Sequence, residues 1–431
     1  MLPRIFKTVQ NARYQSTKTL GWIISEHPEL DENYFCNGNN LNEIKNNISH
    51  RKGVGDIEQV NKLKQKLDSL NFSSADYKIV KNDLQSELFK LPNKTHPEVL
   101  NYGDDPKVLK IVNGKRKFNF DELEFHNITK RLNLVRSEHL GNLSGSKSYY
   151  LLGEMVELEQ ALINYFCEKL YNSGFELISV PDILHRKVIE SCGMNTSGTR
   201  TQVYSLDKNL HDPDLCLSGT SEMALAGYFA NNTLELNMDY GLPKKLMAVS
   251  RCYRAETSNT AEEKGIYRVH EFTKVEMFLL CTSEQSHEML EDIRKMQEEN
   301  FASLDICFQV LDMPPHELGA PAYRKYDIEA WLPGRKIFGE ISSCSNCTDY
   351  QSRRLGIKYK SKDGDIKFAH TLNGTACAIP RLLIALSETG QNKNGTISIP
   401  KVLQKYMDNK EYICKQKQIP ELKLIKHKNH N

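Results

Sequence analysis

The sequence predicts an α+β protein with a mainly antiparallel sheet flanked by helices, preceded by an antiparallel helical hairpin. Three observations support this fold class. Apolar residues recur at three- or four-residue steps between Leu41 and Leu91, which is the period of a helix. Side chains from Lys245 to Glu256 alternate between two faces as in a strand, and a second strand is predicted from Ile266 to Leu280. Long excursions separate such strands, which favours a mixed sheet over repeated βαβ units.

Composition limits the class of protein. The chain has 431 residues, a length that allows about two to three domains. Its 57 basic and 55 acidic side chains give a net charge of +2, so any site for a polyanion must be a local patch. No stretch approaches the ~18 apolar residues of a membrane span, which excludes a membrane-spanning protein. The 11 cysteines are an odd number scattered along the whole chain, which indicates a reducing compartment.

The first 25 residues differ from the rest of the chain. They contain basic and hydroxyl residues but no acid, because the first acidic residue is Glu26. The basic residues are Arg4, Lys7, Arg13 and Lys18. This composition is typical of a mitochondrial transit peptide, so residues 1–25 are predicted to be one and the protein is expected in the mitochondrial matrix. A disordered basic N-terminus of a cytoplasmic protein is the alternative.

Residues 26–117 are predicted to form a helical arm and a linker. The two apolar stripes of the arm are Ile57, Val60, Leu63, Leu67 and Leu70, then Tyr77, Val80, Leu84, Leu88 and Leu91. The pair Ser73-Ser74 separates the helices and Pro92 ends the second, which predicts an antiparallel hairpin with helices about 22 to 26 Å long. The segment from Pro92 to Lys117 is rich in proline and glycine and lacks clear periodicity, so it is predicted to be the linker.

The remainder of the chain is predicted to be one α+β domain, residues 118–410, followed by a basic C-terminal tail, residues 411–431. Helix and strand patterns mix from Phe118 onward, and a long amphipathic helix has apolar positions that run from Leu152 to Leu170. Gly174 closes this helix, and an apolar run from Phe175 to Val180 follows it.

Arginines and glutamates in strand-like or apolar surroundings are the candidates for chemistry. They are Arg254 and Arg268 at the ends of the loop from Thr257 to Gly265, Arg381 in an apolar helix predicted from Ala376 to Leu386, and Glu256, Glu276 and Glu340. The sequence contains no G-x-x-x-x-G-K-[ST], and no G-x-G-x-x-G follows a strand, so any bound phosphates must be held by arginines. Each arginine alone fits an exposed or ion-paired residue. Together the six residues predict a buried polar site.

Five groups of residues carry a family resemblance. They are Ser179–Pro181, Gly219–Glu222, Arg254–Glu256 with Tyr267–Glu276, Glu340–Asn346 with Asp349–Arg354, and His370–Thr375 running into Arg381. In order and spacing they resemble the seryl-tRNA synthetases, a family of class II aminoacyl-tRNA synthetases, and in particular its mitochondrial type. The resemblance covers roughly residues 118–410. Ser179–Pro181 resembles motif one, Gly219–Glu222 the TxE serine loop, and Arg254–Glu256 with Tyr267–Glu276 motif two. The last two groups resemble the seryl-specific strand and motif three. The resemblance implies the class II catalytic fold.

The resemblance implies a serine–tRNA ligase that activates serine with ATP and transfers it to tRNA(Ser) for mitochondrial translation. Arg254, Arg381 and Glu276 are the implied catalytic residues. The implied serine contacts are Glu222 and Thr220 for the ammonium, Glu276, Thr375 and nearby Asn373 for the hydroxyl, and Arg254 for the carboxylate. A planar guanidinium suits two oxygens at once, which agrees with the role implied for Arg254.

An ATP site is implied in the same way. Its residues are Arg254, Glu256, Arg268, Val269, Phe272, Glu340, Ser343 and Arg381. Adenine is expected between Phe272 and Arg381 with Glu256 near its amino group, and Mg²⁺ is expected on Glu340 and Ser343. Mg²⁺ prefers oxygen ligands, which both side chains supply.

A homodimer formed through motif one and a tRNA-binding arm are also implied. The arm departs from the family pattern because it is short and is interrupted by Gly53 and Gly55. Its basic residues, which can contact phosphates without reading bases, are Lys62, Lys64, Lys66, Lys78 and Lys81.

Two other classes of protein stay open. One is a catalytically silent synthetase paralogue that acts as an RNA-binding or scaffold protein. The intact Arg254, Glu276, Asn373 and Arg381 weigh against it. The other is a ligase that loads an activated amino acid onto a carrier protein, which the helical hairpin disfavours.

Overall fold

The computed structural model describes residues 28–137, 144–198, 201–210, 214–235, 241–257 and 265–420. The predicted transit peptide at residues 1–25 and residues 421–431 of the predicted tail lie outside these ranges. Among the residues that the structure describes, no helix has both the length and the apolar character needed to span a membrane.

The described chain begins with four α-helices and then mixes helices with strands of 2 to 12 residues. The α-helices are α1 (Glu32–Phe35), α2 (Leu41–His50), α3 (Ile57–Ser69), α4 (Ala75–Lys90), α5 (Phe125–Leu132), α6 (Glu154–Asn172), α7 (Arg186–Ser191), α8 (Ser221–Tyr228), α9 (Ser286–Ala302), α10 (Tyr350–Leu355), α11 (Ile379–Gly390) and α12 (Lys401–Gln404). The strands are β1 (Lys107–Val112), β2 (Val135–Arg136), β3 (Tyr150–Leu151), β4 (Glu176–Leu177), β5 (Ile183–His185), β6 (Leu215–Leu217), β7 (Thr233–Glu235), β8 (Lys244–Tyr253), β9 (Glu271–Cys281), β10 (Phe308–Asp312), β11 (Arg324–Leu332), β12 (Ile337–Thr348), β13 (Lys358–Lys360), β14 (Ile366–Phe368), β15 (His370–Ala378), β16 (Ile397–Ser398) and β17 (Tyr412–Ile413).

The central sheet has eight strands in the order β1-β10-β11-β12-β15-β9-β8-β4. Every neighbouring pair is antiparallel except β4 and β8, which are parallel. The predicted fold class, an α+β fold on a mainly antiparallel sheet flanked by helices, is therefore confirmed.

Both faces of the sheet are covered near β8 and β9. Met277 and Leu279 of β9 pack in the larger core with α6, α9 and α11, whereas Phe278 and Leu280 pack in a second core with α7 and α8. Successive side chains of a strand point to opposite faces, so a strand covered on both sides is apolar almost throughout. Lys274 and Glu276 lie on the same face as Phe278, and these buried charged residues mark the site described below.

The predicted helical hairpin is present as α3 and α4. Asp56 caps α3 by accepting hydrogen bonds from the backbone N–H groups of Glu58 and Gln59, each at 3.0 Å. The Ser74 hydroxyl caps α4 through the N–H of Tyr77 at 3.1 Å. The helices have 13 and 16 residues, which makes them about 20 and 24 Å long. Their apolar stripes pack on each other and on α2 in a core separate from that of the sheet.

The linker prediction is wrong for residues 107–112. They form β1, which pairs with β10 at one edge of the central sheet. Val108 and Ile111 of this strand stay 51% and 60% exposed, so β1 buries neither face fully and gives no alternating pattern that a sequence reading detects.

Three other predicted boundaries differ from the structure. The second predicted strand, Ile266 to Leu280, begins only at Glu271 as β9. Helix α11 begins at Ile379, because Ala376–Ala378 still belong to β15, and Arg381 therefore lies in the first turn of the helix. The predicted C-terminal tail is packed over its first part, since β17 pairs with β16 and Ile413 is fully buried. Because β17 has only two residues and is followed by a lysine-rich segment, the sequence shows no hydrophobic periodicity there. The prediction therefore placed the end of the domain too early.

Candidate active site

A cavity of about 490 Å³ opens on the face of the sheet that carries α8. Its walls come from distant parts of the chain: β9, β11, β12 and β15, the segment that follows β8, the start of α8 and the start of α11. All the predicted site residues line it: Thr220, Glu222, Arg254, Glu256, Arg268, Val269, Phe272, Glu276, Glu340, Ser343, Asn373, Thr375 and Arg381. The structure thus brings the whole predicted set into one cavity.

The start of α8 positions Glu222. Thr220 is the N-cap of this helix, and its hydroxyl oxygen accepts the backbone N–H of Glu222 at 3.4 Å. The Gln351 side chain on α10 donates to Glu222 Oε1 at 2.6 Å. Burial raises the pKa of Glu222, as does the neighbouring Glu276 carboxylate, while the hydrogen bond from Gln351 opposes both effects. A cationic partner would therefore stabilise the ionised form of Glu222.

Strand register positions Glu276. It lies directly opposite Thr375 in the antiparallel pair of β9 and β15, and the Thr375 hydroxyl donates to Glu276 Oε2 at 3.3 Å. Lys274 is two residues earlier on the same face of β9, and its Nζ lies 2.6 Å from Glu276 Oε2. Lys274 Nζ also donates to Thr220 Oγ1 at 2.8 Å, so it connects the strand to the serine loop.

Lys274 was not among the predicted site residues, although it belongs to the motif-two segment. The available signal was its place two residues before Glu276, because residues i and i+2 of a strand share a face. Only 5% of Lys274 and 3% of Glu276 is exposed. With Glu222, the three side chains carry one net negative charge, which one bound ammonium group would neutralise.

Three arginines line the cavity. The backbone N–H of Arg254 donates to the His270 carbonyl at 2.9 Å, and its guanidinium lies 5.4 Å from the centre of the Phe272 ring. Arg381 Nη1 lies 2.9 Å from Glu340 Oε2. Arg268 Nη1 lies 3.5 Å from Glu256 Oε1. Three guanidinium groups in one cavity can neutralise a chain of phosphates.

The neighbouring cations lower the pKa of Glu340. Burial alone would raise the pKa of this carboxyl, but Arg381, Lys325 and Arg254 outweigh burial and hold it well below its usual value. Glu340 is therefore ionised at neutral pH. Lys325, on β11, is a cavity residue that the sequence analysis missed.

Glu340 and Ser343 are both on β12 and supply a carboxylate and a hydroxyl to the cavity. Within the described ranges, no group of three or more His, Cys, Asp or Glu side chains is arranged to hold a metal ion. Mg²⁺ is usually held by one or two protein oxygens together with substrate phosphates and water, so the pair fits such an ion only when a phosphate is present.

The expected pairing around adenine differs in detail. The guanidinium of Arg381 lies over the ring of Tyr267, at 4.8 Å from its centre, and Phe272 faces Arg254 instead. Tyr267 was missed as a site residue although it begins the second part of the motif-two segment. Phe272 and Arg381 both line the cavity, so an adenine between them remains a prediction.

The antiparallel sheet with these motif segments defines a class II aminoacyl-tRNA synthetase core. Residues 204–390 match the family model for the tRNA synthetase class II core domain (G, H, P, S and T).

Relatives narrow the class to one family. The chain is 40% identical over 371 residues to the serine–tRNA ligase of Borrelia garinii subsp. bavariensis, an alignment that covers 81% of this chain and 85% of the relative. It is 46% identical over 322 residues to the mitochondrial serine–tRNA ligase of Bos taurus, which covers 74% of this chain and 61% of the relative. The chain belongs to the seryl-tRNA synthetases.

A solved structure agrees with this assignment. The crystal structure of seryl-tRNA synthetase from Pyrococcus horikoshii complexed with ATP superposes with a TM-score of 0.75 at 28% identity, covering 88% of this chain and 100% of that one. The matched region spans less than two thirds of the length of the bovine mitochondrial relative.

Proposed function

We propose that this chain is a serine–tRNA ligase. It joins serine to ATP to form seryl-adenylate and pyrophosphate, and then transfers serine to tRNA(Ser) with release of AMP. The observation that carries the proposal is the charge at one end of the cavity, where Glu222, Glu276 and Lys274 leave one negative charge in a site that Arg254 also lines.

Serine is bound at this end by all of its polar groups. Its ammonium pairs with Glu222, beside Thr220, and its carboxylate pairs with Arg254. Its hydroxyl donates to Glu276 and bonds with Thr375, with Asn373 nearby. The short contact between Lys274 and Glu276 supports this arrangement, because it holds the acceptor still before serine arrives.

ATP occupies the part of the cavity that the three arginines line. Its adenine lies between Phe272 and Arg381, near Glu256 and over Val269, and its phosphates contact Arg254, Arg268 and Arg381. Glu340 and Ser343 hold Mg²⁺ together with the phosphates, and the ion supplies additional positive charge there. The pairs between Arg268 and Glu256 and between Arg381 and Glu340 support these positions, since both arginines are held at the cavity wall.

Activation follows from placement of the two substrates. A serine carboxylate oxygen attacks the α-phosphorus, the bond from phosphorus to the bridging oxygen breaks, and pyrophosphate leaves with that electron pair. The nucleophile is already an anion, so the reaction needs in-line positioning and charge neutralisation rather than a protein base. Arg254 fits both needs because its planar fork can hold the carboxylate and the α-phosphate together.

The tRNA contacts are assigned to the arm, α3 and α4. Exposed lysines on its helices support this assignment, since a basic surface binds the phosphate backbone. They are Lys62, Lys66, Lys78 and Lys81. Lys64 is paired with Asp68 instead.

A homodimer through the motif-one region is part of the proposal. Apolar side chains there are unusually exposed: Tyr171 at the end of α6 is 72% exposed, Leu177 on β4 is 59% exposed and Ile183 on β5 is 49% exposed. β4 is also an edge of the central sheet, where a second copy can cover it. A stable, active monomer in sedimentation would contradict this part.

We place the enzyme in the mitochondrial matrix. Support comes from the basic, acid-free residues 1–25 and from the mitochondrial serine–tRNA ligase of Bos taurus among the relatives. Uptake and N-terminal processing of the full chain by isolated mitochondria test this, and failure of uptake would contradict it.

Aminoacylation of mitochondrial RNA with radiolabelled serine tests the function itself. We expect serine-dependent exchange of pyrophosphate into ATP and acid-precipitable seryl-tRNA. A silent paralogue would give neither product. A carrier-protein ligase would give exchange without charged tRNA.

A further inference from the structure

A buried arginine connects α2, which packs against the arm and is called its base, to the active-site cavity. Arg51 follows the last residue of α2 and is only 4% exposed. Its Nη1 donates to the Ala322 carbonyl at 2.8 Å, and its Nη2 donates to the carbonyls of Gly319 and of Ala320, the latter at 3.1 Å. A fourth bond runs from Nη1 to Thr95 Oγ1 at 3.2 Å.

The three carbonyls belong to the segment Gly319–Ala322, which forms one wall of the cavity. We call this segment the carbonyl wall. Within the described part of the chain, no carboxylate lies within ion-pair distance of Arg51, so carbonyl dipoles and one hydroxyl surround its charge. Burial lowers the pKa of Arg51 to about 10. A buried cation without a carboxylate partner must keep these bonds, which constrains the wall as much as the arginine.

Gly193 packs closely against Pro321 of the carbonyl wall. Gly193 has φ +89°, and a Cβ there would lie 2.7 Å from Cδ of Pro321. The next residue, Met194, lies against Gly219 of the serine loop, where an added Cβ would be 3.4 Å from Met194 Cε. Displacement of the carbonyl wall would therefore shift the turn at Gly193 and Met194, which contacts Gly219 of the serine loop.

Asn93 provides a second connection at the same place. Its backbone N–H donates to the Ala320 carbonyl at 2.9 Å, and its Nδ2 donates to the carbonyls of Pro321 at 2.8 Å and Cys347 at 2.9 Å. Asn47 of α2 in turn donates to the Asn93 carbonyl at 3.0 Å. Because Cys347 lines the cavity, these bonds join α2, the carbonyl wall and the floor of the site.

We propose that Arg51 is a positioning residue for serine activation, which holds the carbonyl wall against the turn at Gly193 and so makes the base of the arm part of the serine site. The proposal rests on the proposed function. It separates the arm into a base that serves activation and an outer hairpin that serves tRNA.

Steady-state pyrophosphate exchange of the full chain with serine and ATP tests this role. Arg51→Met should raise the KM for serine about tenfold while kcat and the KM for ATP change less than about threefold. Arg51→Lys should give a smaller rise, because an ammonium keeps the charge but cannot reach three carbonyls at once. Thermal melting is measured for each variant.

Arg354→Met is the matched control. Arg354 is also 4% exposed and also donates to the arm, to the Phe89 carbonyl at 3.1 Å, but its other hydrogen bonds go to the carbonyls of Tyr350 and Leu91 and not to the carbonyl wall. Its replacement should lower the melting temperature and leave the KM for serine within about twofold of the wild type.

An unchanged KM for serine in folded Arg51→Met, or an equal rise in Arg354→Met, would overturn the proposal. If Arg51→Met does not fold, Arg51→Lys decides, since a serine KM equal to that of the wild type would then overturn it. Wild-type protein without serine-dependent exchange would refute the proposed function itself, and the role of Arg51 with it.

Discussion

Replacing Glu276 with alanine should make the enzyme less able to distinguish serine from alanine. Glu276 is the acceptor proposed for the serine hydroxyl, and Lys274 and Thr375 hold it at 2.6 and 3.3 Å. Alanine has no hydroxyl, so in the wild-type site it leaves these buried groups incompletely paired. A site of this kind rejects the analogue that lacks the hydroxyl by about 10⁴ to 10⁵.

The size of the change follows from the bond that is lost. A hydrogen bond to a charged group contributes about 1.5 to 3 kcal/mol, and only serine loses it. The buried ammonium of Lys274 loses its carboxylate with either substrate, so that cost falls on both. The ratio of kcat/KM for serine to that for alanine should therefore fall about 10- to 150-fold, while serine activation itself falls further.

Pyrophosphate exchange with serine, alanine and threonine measures these ratios. Threonine adds only a methyl group, so it is rejected by crowding and should gain from the space that Glu276→Ala opens. Glu256→Ala is the matched control, because Glu256 is a buried glutamate of the same cavity, 7% exposed, assigned to adenine. It should raise the KM for ATP and leave the serine-to-alanine ratio unchanged.

A serine-to-alanine ratio that stays the same in Glu276→Ala would refute the reasoning. So would an equal fall of the ratio in Glu256→Ala, because the ratio would then report general damage to the cavity rather than recognition of the hydroxyl.

Three further predictions concern the charges and the arm. Arg254→Ala and Arg381→Ala should each remove about 3 kcal/mol or more of transition-state stabilisation, which lowers kcat/KM in pyrophosphate exchange over 100-fold. Near-normal exchange in either variant would contradict the ATP site. Burial and the nearby Glu276 raise the pKa of Glu222, and a protonated Glu222 cannot pair with an ammonium. The KM for serine should therefore rise as the pH falls through this raised pKa while the KM for ATP stays flat, and a flat serine profile would exclude the pairing. Replacing residues 64–81 with a short Gly-Ser turn should keep exchange within about twofold and lower tRNA charging at least about tenfold; an equal loss of both would contradict a separate role for the outer hairpin.

Periodic and motif-bearing parts of the chain were predictable from the sequence. The apolar stripes of α3 and α4 have the helical period and are capped by Asp56 and Ser74, so local signals agree with the fold. The catalytic segments could be placed because their residue types and order are distinctive, and the structure gathers all of them in one cavity. Their individual roles stay predictions.

The parts that were missed depend on tertiary contacts. β1 is an exposed edge strand, so its residues lack a buried face that would impose a pattern. Gln351 reaches Glu222 across 129 residues of chain, and Arg51 reaches Gly319 across 268. No periodicity or spacing encodes such pairs, because they arise only when separate elements fold onto one sheet.

A crystal structure of the full chain with a non-hydrolysable seryl-adenylate analogue and Mg²⁺ tests the central claim most directly. The account predicts the serine hydroxyl within about 2.5 to 3.0 Å of a Glu276 oxygen. It also predicts the ammonium at Glu222 and the α-phosphoryl analogue at Arg254. An analogue bound in the cavity with its hydroxyl directed away from Glu276, or with its ammonium at another carboxylate, would contradict the account.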